Sequence, residues 1–299
     1  MVIAARITTK VAWIGCALNV GAWLALHLPW QLGWTPHFEI AEWAVRLMFL
    51  SSAYLLAFLL NLEIAAEYRQ VRLLRVAWLA LAANAGFSVV RIVIESSLLN
   101  LVWERYKPGP VFGLLQHLAI VPANTCLLLG LLAMGWAYHR TGLGFRIEKR
   151  DYAAIAGVLG LIIALIYFRA GLSQAQSPNT IGRGLQLIGL VLLSLSAAAS
   201  FVLHRQALQM GGGKLALALR WLTFYTLLRG VLVLAQAGYR TTLLDGQAST
   251  ELQSLLFEPW WLMVPWLALL AAAHRSELTI HAARQLAQQR AARAAMASA

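Results

Sequence analysis

The fold class is decided by residues 112–138, FGLLQHLAIVPANTCLLLGLLAMGWAY, which contain no Asp, Glu, Lys or Arg. A hydrocarbon core about 30 Å thick takes about 20 apolar helical residues, because a helix closes its backbone hydrogen bonds within the segment. This stretch is therefore predicted to cross a membrane. The whole chain of 299 residues agrees, since 60% are hydrophobic and only 12% are charged, whereas a soluble domain carries about 25% charged residues.

Seven other segments also have the length and composition of membrane spans, and the fifth in chain order is the weakest of the set. Together they predict eight transmembrane helices, at 11–30, 45–63, 77–100, 112–138, 153–170, 183–203, 217–238 and 257–274. The predicted fold is an all-α polytopic integral membrane helix bundle.

The net charge of +12, from 24 Lys and Arg against 12 Asp and Glu, would suggest nucleic acid as a partner of a soluble protein. In an apolar chain, the same excess is typical of cytoplasmic loops under the positive-inside rule. Eight spans with the N-terminus inside put most of the Lys and Arg residues on the cytoplasmic side. The predicted location is therefore the cytoplasmic (inner) membrane, with both termini cytoplasmic, a lipid bilayer as partner and no nucleic acid.

The chain also divides into two similar parts. Residues 87–91, FSVVR, have the same place in the third predicted helix as 225–229, YTLLR, in the seventh. This predicts two four-helix transmembrane halves, at 1–145 and 146–275. Because each half holds an even number of helices, the repeat would be parallel, related by an axis along the membrane normal.

A basic, helix-prone tail follows at 276–299, rich in Ala, Gln and Arg. Its arginines predict attachment to anionic lipid, each basic residue adding about 1 kcal/mol. Docking to a partner protein is the alternative, and the weak apolar face of the tail does not decide between them.

Arg91 and Arg229 are the two basic residues that orientation does not explain, because both fall inside predicted spans. Glu95 lies one turn beyond Arg91, and Glu258 at the outer end of the eighth helix is a candidate partner for Arg229. Two guanidinium forks across a pseudo-symmetric bundle would suit an anionic substrate. Two other interpretations remain open: arginines that tie helices together, and arginines that reach lipid headgroups.

Prolines interrupt two predicted helices: Pro122 lies in the fourth, and Pro259 and Pro265 lie near or inside the eighth. Pro122 and Pro259 have corresponding places in the two halves, 17 residues before His139 and 15 before His274. Interrupted helices of this kind are a pointer to transporter binding sites, so Pro122 and Pro265 are candidates for gating flexibility. Asn124 follows Pro122 closely and is a candidate ligand of a substrate or of a freed backbone carbonyl.

Metal and cofactor chemistry has little support. His27, His37 and His117 are weak candidates for an outer haem or metal site, but the mid-helix histidine pairs expected of a b-type cytochrome are missing, so the cofactor is left open. Cys16 and Cys126 lie in apolar runs and are expected to be packing residues.

These observations favour a carrier or permease that binds a small anionic or amphipathic substrate within the bundle. The first alternative is a non-catalytic membrane subunit of a respiratory, photosynthetic or sensory complex, using a tryptophan-rich surface and the basic tail. The second is an enzyme acting on lipid or quinone headgroups at the outer face through His37, Glu39 and His117. An enzyme is the less favoured class, because the sequence has no Walker loop, nucleophile elbow or HExxH motif.

Overall fold

The structure is a computed structural model, and its description covers most of the predicted helices. The described residues are 8–32, 34, 39–95, 110–140, 148–149, 151–153, 155–157, 159–160, 180–209, 213–242, 257–278 and 288–289. No β-strand occurs among them. The predicted all-α membrane bundle is confirmed.

Seven long helices make up the described bundle. They are α1 (Thr9–Gln31), α2 (Glu39–Glu67), α3 (Arg72–Glu95), α4 (Pro110–Arg140), α5 (Thr180–Gln209), α6 (Gly213–Thr242) and α7 (257–278). Shorter helical pieces lie within 149–160, between α4 and α5.

Six of these helices are long and apolar enough to cross a membrane. Their spanning parts are Thr9–Trp30, Leu47–Glu67, Arg72–Ile94, Ala119–Arg140, Leu187–Gln209 and Leu215–Leu232. They coincide with six of the eight predicted spans, so the chain is a multi-pass membrane protein. The remaining two predictions fare differently. Most of 153–170 lies outside the described residues, and α7 covers 257–274 but is less apolar, because prolines, tryptophans and Glu258 interrupt its aliphatic residues.

Neighbouring helices in the chain pack side by side, in the order α1, α2, α3, α4, α5 and α6. Helices α3 and α4 approach closely at Gly130, where a Cβ atom would lie 3.0 Å from the Ala77 carbonyl oxygen. The absence of a side chain at Gly130 therefore lets the two helices approach closely. Large apolar side chains such as Leu18 and Trp136 cover the outside, as expected for a surface that faces lipid.

Helices α1 and α7 run antiparallel and are joined by hydrogen bonds. The Thr9 hydroxyl and backbone N–H both donate to Glu277 at 2.8 Å, and the Asn19 amide donates to the Leu262 carbonyl at 3.2 Å. The Trp266 ring lies directly against Gly15, where any side chain would collide with it. Thus α7 lies inside the bundle, and most of its residues from Leu262 onward are buried.

One end of the bundle, which we call the basic end, is where α1, α3 and α6 begin and where α2, α4, α5 and α7 end. Its described basic side chains are Lys10, Arg69, Arg72, Arg75, Lys149, Arg140, Arg205, Arg220 and Arg275. The concentration of charge at one end agrees with the distribution expected of a membrane protein.

Candidate functional site

A chain of hydrogen bonds crosses the interior of the bundle and begins at Arg229. The Arg229 Nη1 atom donates to the Tyr225 hydroxyl oxygen at 2.9 Å, and that hydroxyl donates to the Asn84 Oδ1 atom at 3.3 Å. The Asn84 amide nitrogen donates in turn to the Ala123 carbonyl oxygen at 2.7 Å. Three helices, α6, α3 and α4, are therefore connected through buried polar groups.

Local helix geometry explains the first half of this chain. Tyr225 and Arg229 are four residues apart on α6, so their side chains lie on the same face. Their exposed fractions are 0% and 2%, and that face is thus turned inward. Asn84 and Tyr225 each lie about 18 Å along their helices from the basic end, at 1.5 Å per residue. This chain of hydrogen bonds therefore lies well inside the membrane-spanning part of the bundle.

Tyr54 in α2 lies within electrostatic range of both predicted arginines. Its side chain is fully buried. It lies beside Tyr225, and both Arg229 and Arg91 are within electrostatic range of its hydroxyl group. We call Arg91, Arg229, Tyr54, Tyr225 and Asn84 the polar cluster. Its members come from α2, α3 and α6, so it joins helices assigned to both predicted halves.

Arg91 has a different environment from Arg229. Its guanidinium carbon lies 5.9 Å from the centre of the Trp261 ring on α7, which is the geometry of a cation–π contact. Glu258 lies three residues before Trp261 on the same helix face. The Glu258 side chain is partly buried, and its Oε2 atom is enclosed. Arg91 thus lies near the part of α7 that carries Glu258, at the end opposite to the basic end.

The predicted pairing of Arg91 with Glu95 stays a prediction, because the Glu95 side chain lies outside the described residues. The predicted partnership of Glu258 with Arg229 also stays a prediction. The contacts of Arg229 include a hydrogen bond to Tyr225, and its guanidinium carbon lies 5.9 Å from the Tyr225 ring centre.

Asn124, a predicted substrate ligand, connects two helices. Its amide nitrogen donates to the Gly189 carbonyl oxygen on α5 at 2.8 Å, and its Oδ1 atom is enclosed without a donor among the described residues. The neighbouring Thr125 hydroxyl donates to the Val121 carbonyl oxygen at 2.8 Å. The carbonyl before Pro122 therefore accepts from Thr125, and the carbonyl after it accepts from Asn84 on α3.

The two prolines proposed for gating both lie inside described helices. Pro122 is in the middle of α4, and Pro265 is in α7, directly before the Trp266 ring that packs on Gly15. Only Pro122 has a described hydrogen-bond connection to the polar cluster, through Ala123 and Asn84.

Of the three weak metal candidates, only the His27 side chain is described. It is stacked on Trp23, with ring centres 4.5 Å apart, and meets the edge of Trp30 at 5.1 Å. The side chains of His37, Glu39 and His117 lie outside the described residues, so the outer-face enzyme hypothesis remains a prediction. No group of three His, Cys, Asp or Glu side chains suited to a metal occurs in the described part of the chain.

A second set of polar contacts holds the basic end together. Arg275 at the end of α7 bonds to the Tyr68 hydroxyl and lies 3.9 Å from a Glu67 carboxylate oxygen, both at the end of α2. Arg205 on α5 bonds to Asp151 at 3.0 Å, which fixes the helical segment after α4 to the end of α5. These ion pairs fix helix ends, and they lie far from the polar cluster.

Sequence reasoning identified the two arginines but missed Tyr54, Asn84 and Tyr225. The spacing of Tyr225 and Arg229 was a usable signal, because a hydroxyl one turn before an intramembrane arginine can accept its hydrogen bond. Asn84 is a lone amide in an apolar run, which is a weaker signal of the same kind. The place of Tyr54 carries no comparable sequence signal.

The fold and this cluster define a class: a multi-pass α-helical membrane protein with two arginines in its membrane-spanning helices. Beyond that class, comparison with known proteins adds nothing, since no family model, no curated protein and no solved structure matches the chain significantly.

Proposed function

We propose that the protein is a carrier or permease that binds a small anionic or amphipathic substrate at the polar cluster. The observation that supports this proposal is that Arg91 and Arg229 both lie within electrostatic range of the same buried hydroxyl group, that of Tyr54. Each arginine belongs to a different predicted half, so a substrate held by both would lie between the halves. In this proposal the halves are the repeats 1–145 and 146–275, and the basic end faces the cytoplasm of a cell with the protein in its inner membrane.

Electrostatics favours an anion at this place. A charged side chain at the centre of a membrane helix costs at least about 2.5–3.5 kcal/mol. The Tyr225 hydroxyl accepts a hydrogen bond from Arg229, and the Trp261 ring lies against Arg91. Two like charges also repel more strongly in a medium of low dielectric constant than in water. A carboxylate or phosphate between the two arginines would relieve both costs, and the planar guanidinium suits its oxygens.

The hydrogen-bond chain suggests how binding could be coupled to movement. In the structure the Tyr225 hydroxyl accepts a hydrogen bond from Arg229 and donates one to Asn84. A substrate oxygen that replaced Tyr225 as the acceptor of Arg229 would release the hydroxyl from Arg229 and allow its bond to Asn84 to change. Asn84 bonds to the backbone beside Pro122, where α4 lacks one helical hydrogen bond. Substrate binding would thereby reach the point of α4 where the proline removes a helical hydrogen bond. In this proposal Pro265 would give α7 the corresponding freedom.

Anion-dependent stability tests the proposal directly. Purified protein in detergent would be melted in sodium chloride, phosphate, benzoate and octanoate at equal ionic strength. A ligand that binds only the folded state increases the free energy of unfolding, by about 2.7 kcal/mol at a concentration 100 times its Kd, and so raises the unfolding midpoint. We expect at least one of the other anions to raise the midpoint above that in chloride, and Arg229→Gln to abolish the increase.

Arg220→Gln is the matched control, because Arg220 is an exposed arginine on the same helix, lying over Phe224 near the basic end. This variant should keep the anion-dependent increase. The proposal is wrong if no anion raises the midpoint of the unsubstituted protein, or if Arg229→Gln shows the same increase as Arg220→Gln.

A second candidate function, a subunit or sensor that acts through its tail, is favoured by one observation. The end of α7 is held by α1 through Thr9 and Glu277 and by α2 through Tyr68 and Arg275. The tail 276–299 begins at this point, so a change in the bundle would be transmitted to it. Stoichiometric co-purification of partner proteins, lost on deletion of residues 279–299, would favour this function over the carrier.

A further inference from the structure

A small cavity lies between α3 and α6, on the basic-end side of the polar cluster. Its volume is about 20 Å³, and its walls also include residues of α2 and α7. Its lining residues include Leu215, in the first turn of α6, and Tyr225, whose hydroxyl accepts the hydrogen bond from Arg229. Alanines such as Ala218 and Ala272 form much of the wall, which leaves the helices separated by small side chains.

Trp78 gives the cavity an unsatisfied hydrogen-bond donor. The Trp78 side chain lines the cavity, has an exposed fraction of 4%, and its Nε1 atom finds no acceptor among the described residues. The amide side chains of Asn61 and Asn84 also line the cavity, and both are buried. A volume above about 10–15 Å³ with two to four polar partners is what a buried water molecule requires.

We propose that this cavity binds a water molecule hydrogen-bonded to Trp78 Nε1, and that it is the inner part of a hydrated route from the basic end to Arg229. The water site stands on the cavity and its polar lining alone. The route rests on the proposed function, because only a carrier needs solute access to the arginines. In the conformation described, the route is wide enough for water at this point, and its widening would admit the substrate.

Trp266 is a matched control for the water site. It has an exposed fraction of 5%, and its Nε1 atom likewise finds no acceptor among the described residues. Its ring packs directly on Gly15, and it does not line the cavity. The two indoles therefore differ in their access to the cavity and not in their burial.

Hydroxyl-radical footprinting tests the water site, because radicals generated from bound water oxidise the side chains beside it. In the full-length protein in nanodiscs, we expect Trp78 to be oxidised several-fold faster than Trp266. Ala218→Val, which fills the cavity, should reduce the Trp78 rate to that of Trp266. Equal slow rates for the two tryptophans in the unsubstituted protein would overturn the water site.

Thiol labelling tests the route. In a background with Cys16→Ala and Cys126→Ala, Ala218→Cys would place a thiol in the cavity wall, whereas Leu217→Cys would place one on the adjacent outward-facing position, 39% exposed. We expect a negatively charged methanethiosulfonate reagent to modify Ala218→Cys at least ten-fold faster than Leu217→Cys. We also expect the negatively charged reagent to modify Ala218→Cys faster than a positively charged one, because the route leads to two arginines.

The two parts of the proposal fail separately. Unmodified Ala218→Cys together with rapid oxidation of Trp78 would overturn the route and retain the water site. Neither result bears on the anion-binding test with Arg229→Gln, which decides the proposed function independently.

Discussion

Arg91 and Arg229 have equivalent places in the predicted repeat, yet the structure holds them by different means. Arg229 is buried and bonds to a hydroxyl on its own helix, whereas Arg91 is partly buried and lies against the Trp261 ring of α7. Residue 225 is a buried tyrosine, and its counterpart Phe87 is 38% exposed and has no hydroxyl. Equal spacing in sequence therefore does not produce equal environments, because the two helices turn different faces toward the bundle interior.

The largest effect is expected at the far end of the Arg229 chain. Asn84→Leu removes the acceptor of Tyr225 and the donor to Ala123, so we expect a loss of about 2 kcal/mol in unfolding free energy, since interhelical hydrogen bonds in membranes contribute about 0.6–1.7 kcal/mol each. Asn124→Leu should cost less, because only its amide nitrogen is bonded and its Oδ1 atom is enclosed without a donor among the described residues. Thermal unfolding in detergent measures both losses. Equal losses would contradict the expectation that the hydrogen-bond chain through Asn84 contributes more stability than the single bond of Asn124.

Tyr225→Phe makes residue 225 resemble its counterpart Phe87. The substitution removes the acceptor of Arg229 and the donor to Asn84 while keeping the aromatic ring. We expect a loss of about 1.5 kcal/mol, because a buried charged donor loses a partner. In the Asn84→Leu background the additional loss should be smaller, since one of the two bonds is already absent. Additive losses would show that the two residues act independently.

The contact between Arg91 and Trp261 should be weaker than the Arg229 chain. A partly desolvated cation–π pair is worth about 1 kcal/mol. We therefore expect the double-mutant cycle of Arg91→Gln and Trp261→Leu to give a coupling free energy of about that size. Coupling between Arg229→Gln and Trp261→Leu is the control and should be close to zero. A larger coupling in the control would mean that the two arginines share one environment.

Phe87→Tyr is the reverse substitution in the first half and should have the smallest effect. Phe87 is 38% exposed on the outer face of α3, so a hydroxyl added there would not reach the bundle interior. We expect a change of less than about 0.5 kcal/mol, as for most surface substitutions. A stabilisation comparable in size to the loss in Tyr225→Phe would instead show that Arg91 can adopt the environment of Arg229.

Much of the fold could be predicted because the membrane constrains helices strongly. Six apolar runs appear as helices of spanning length, and the basic residues collect at one end. The helix at 257–274 differs from the prediction, because it forms but is not among the six helices that are apolar enough to span a membrane. Trp266 and its neighbours are buried by α1 and other helices, so α7 needs less aliphatic surface than a helix surrounded by lipid.

The candidate site could be predicted only in part. Arg91 and Arg229 are visible in the sequence because a charge inside an apolar run is costly and therefore conspicuous. Tyr54 is not visible in this way, since a tyrosine in a membrane helix is common and its role depends on facing Tyr225. The tandem repeat, which would give the two arginines equivalent places, stays a prediction.

The amino-acid sequence alone determined the class of protein, the helices and the residues that cannot lie in lipid, because these depend on apolar length, helical hydrogen bonding and the cost of burying charge. The tertiary structure decided which side chains meet: that Arg229 bonds to Tyr225, that Asn84 reaches the backbone beside Pro122, and that Trp78 faces a cavity. These pairings depend on the rotation of each helix about its axis. That rotation follows from how several helices pack together, and no single segment specifies it.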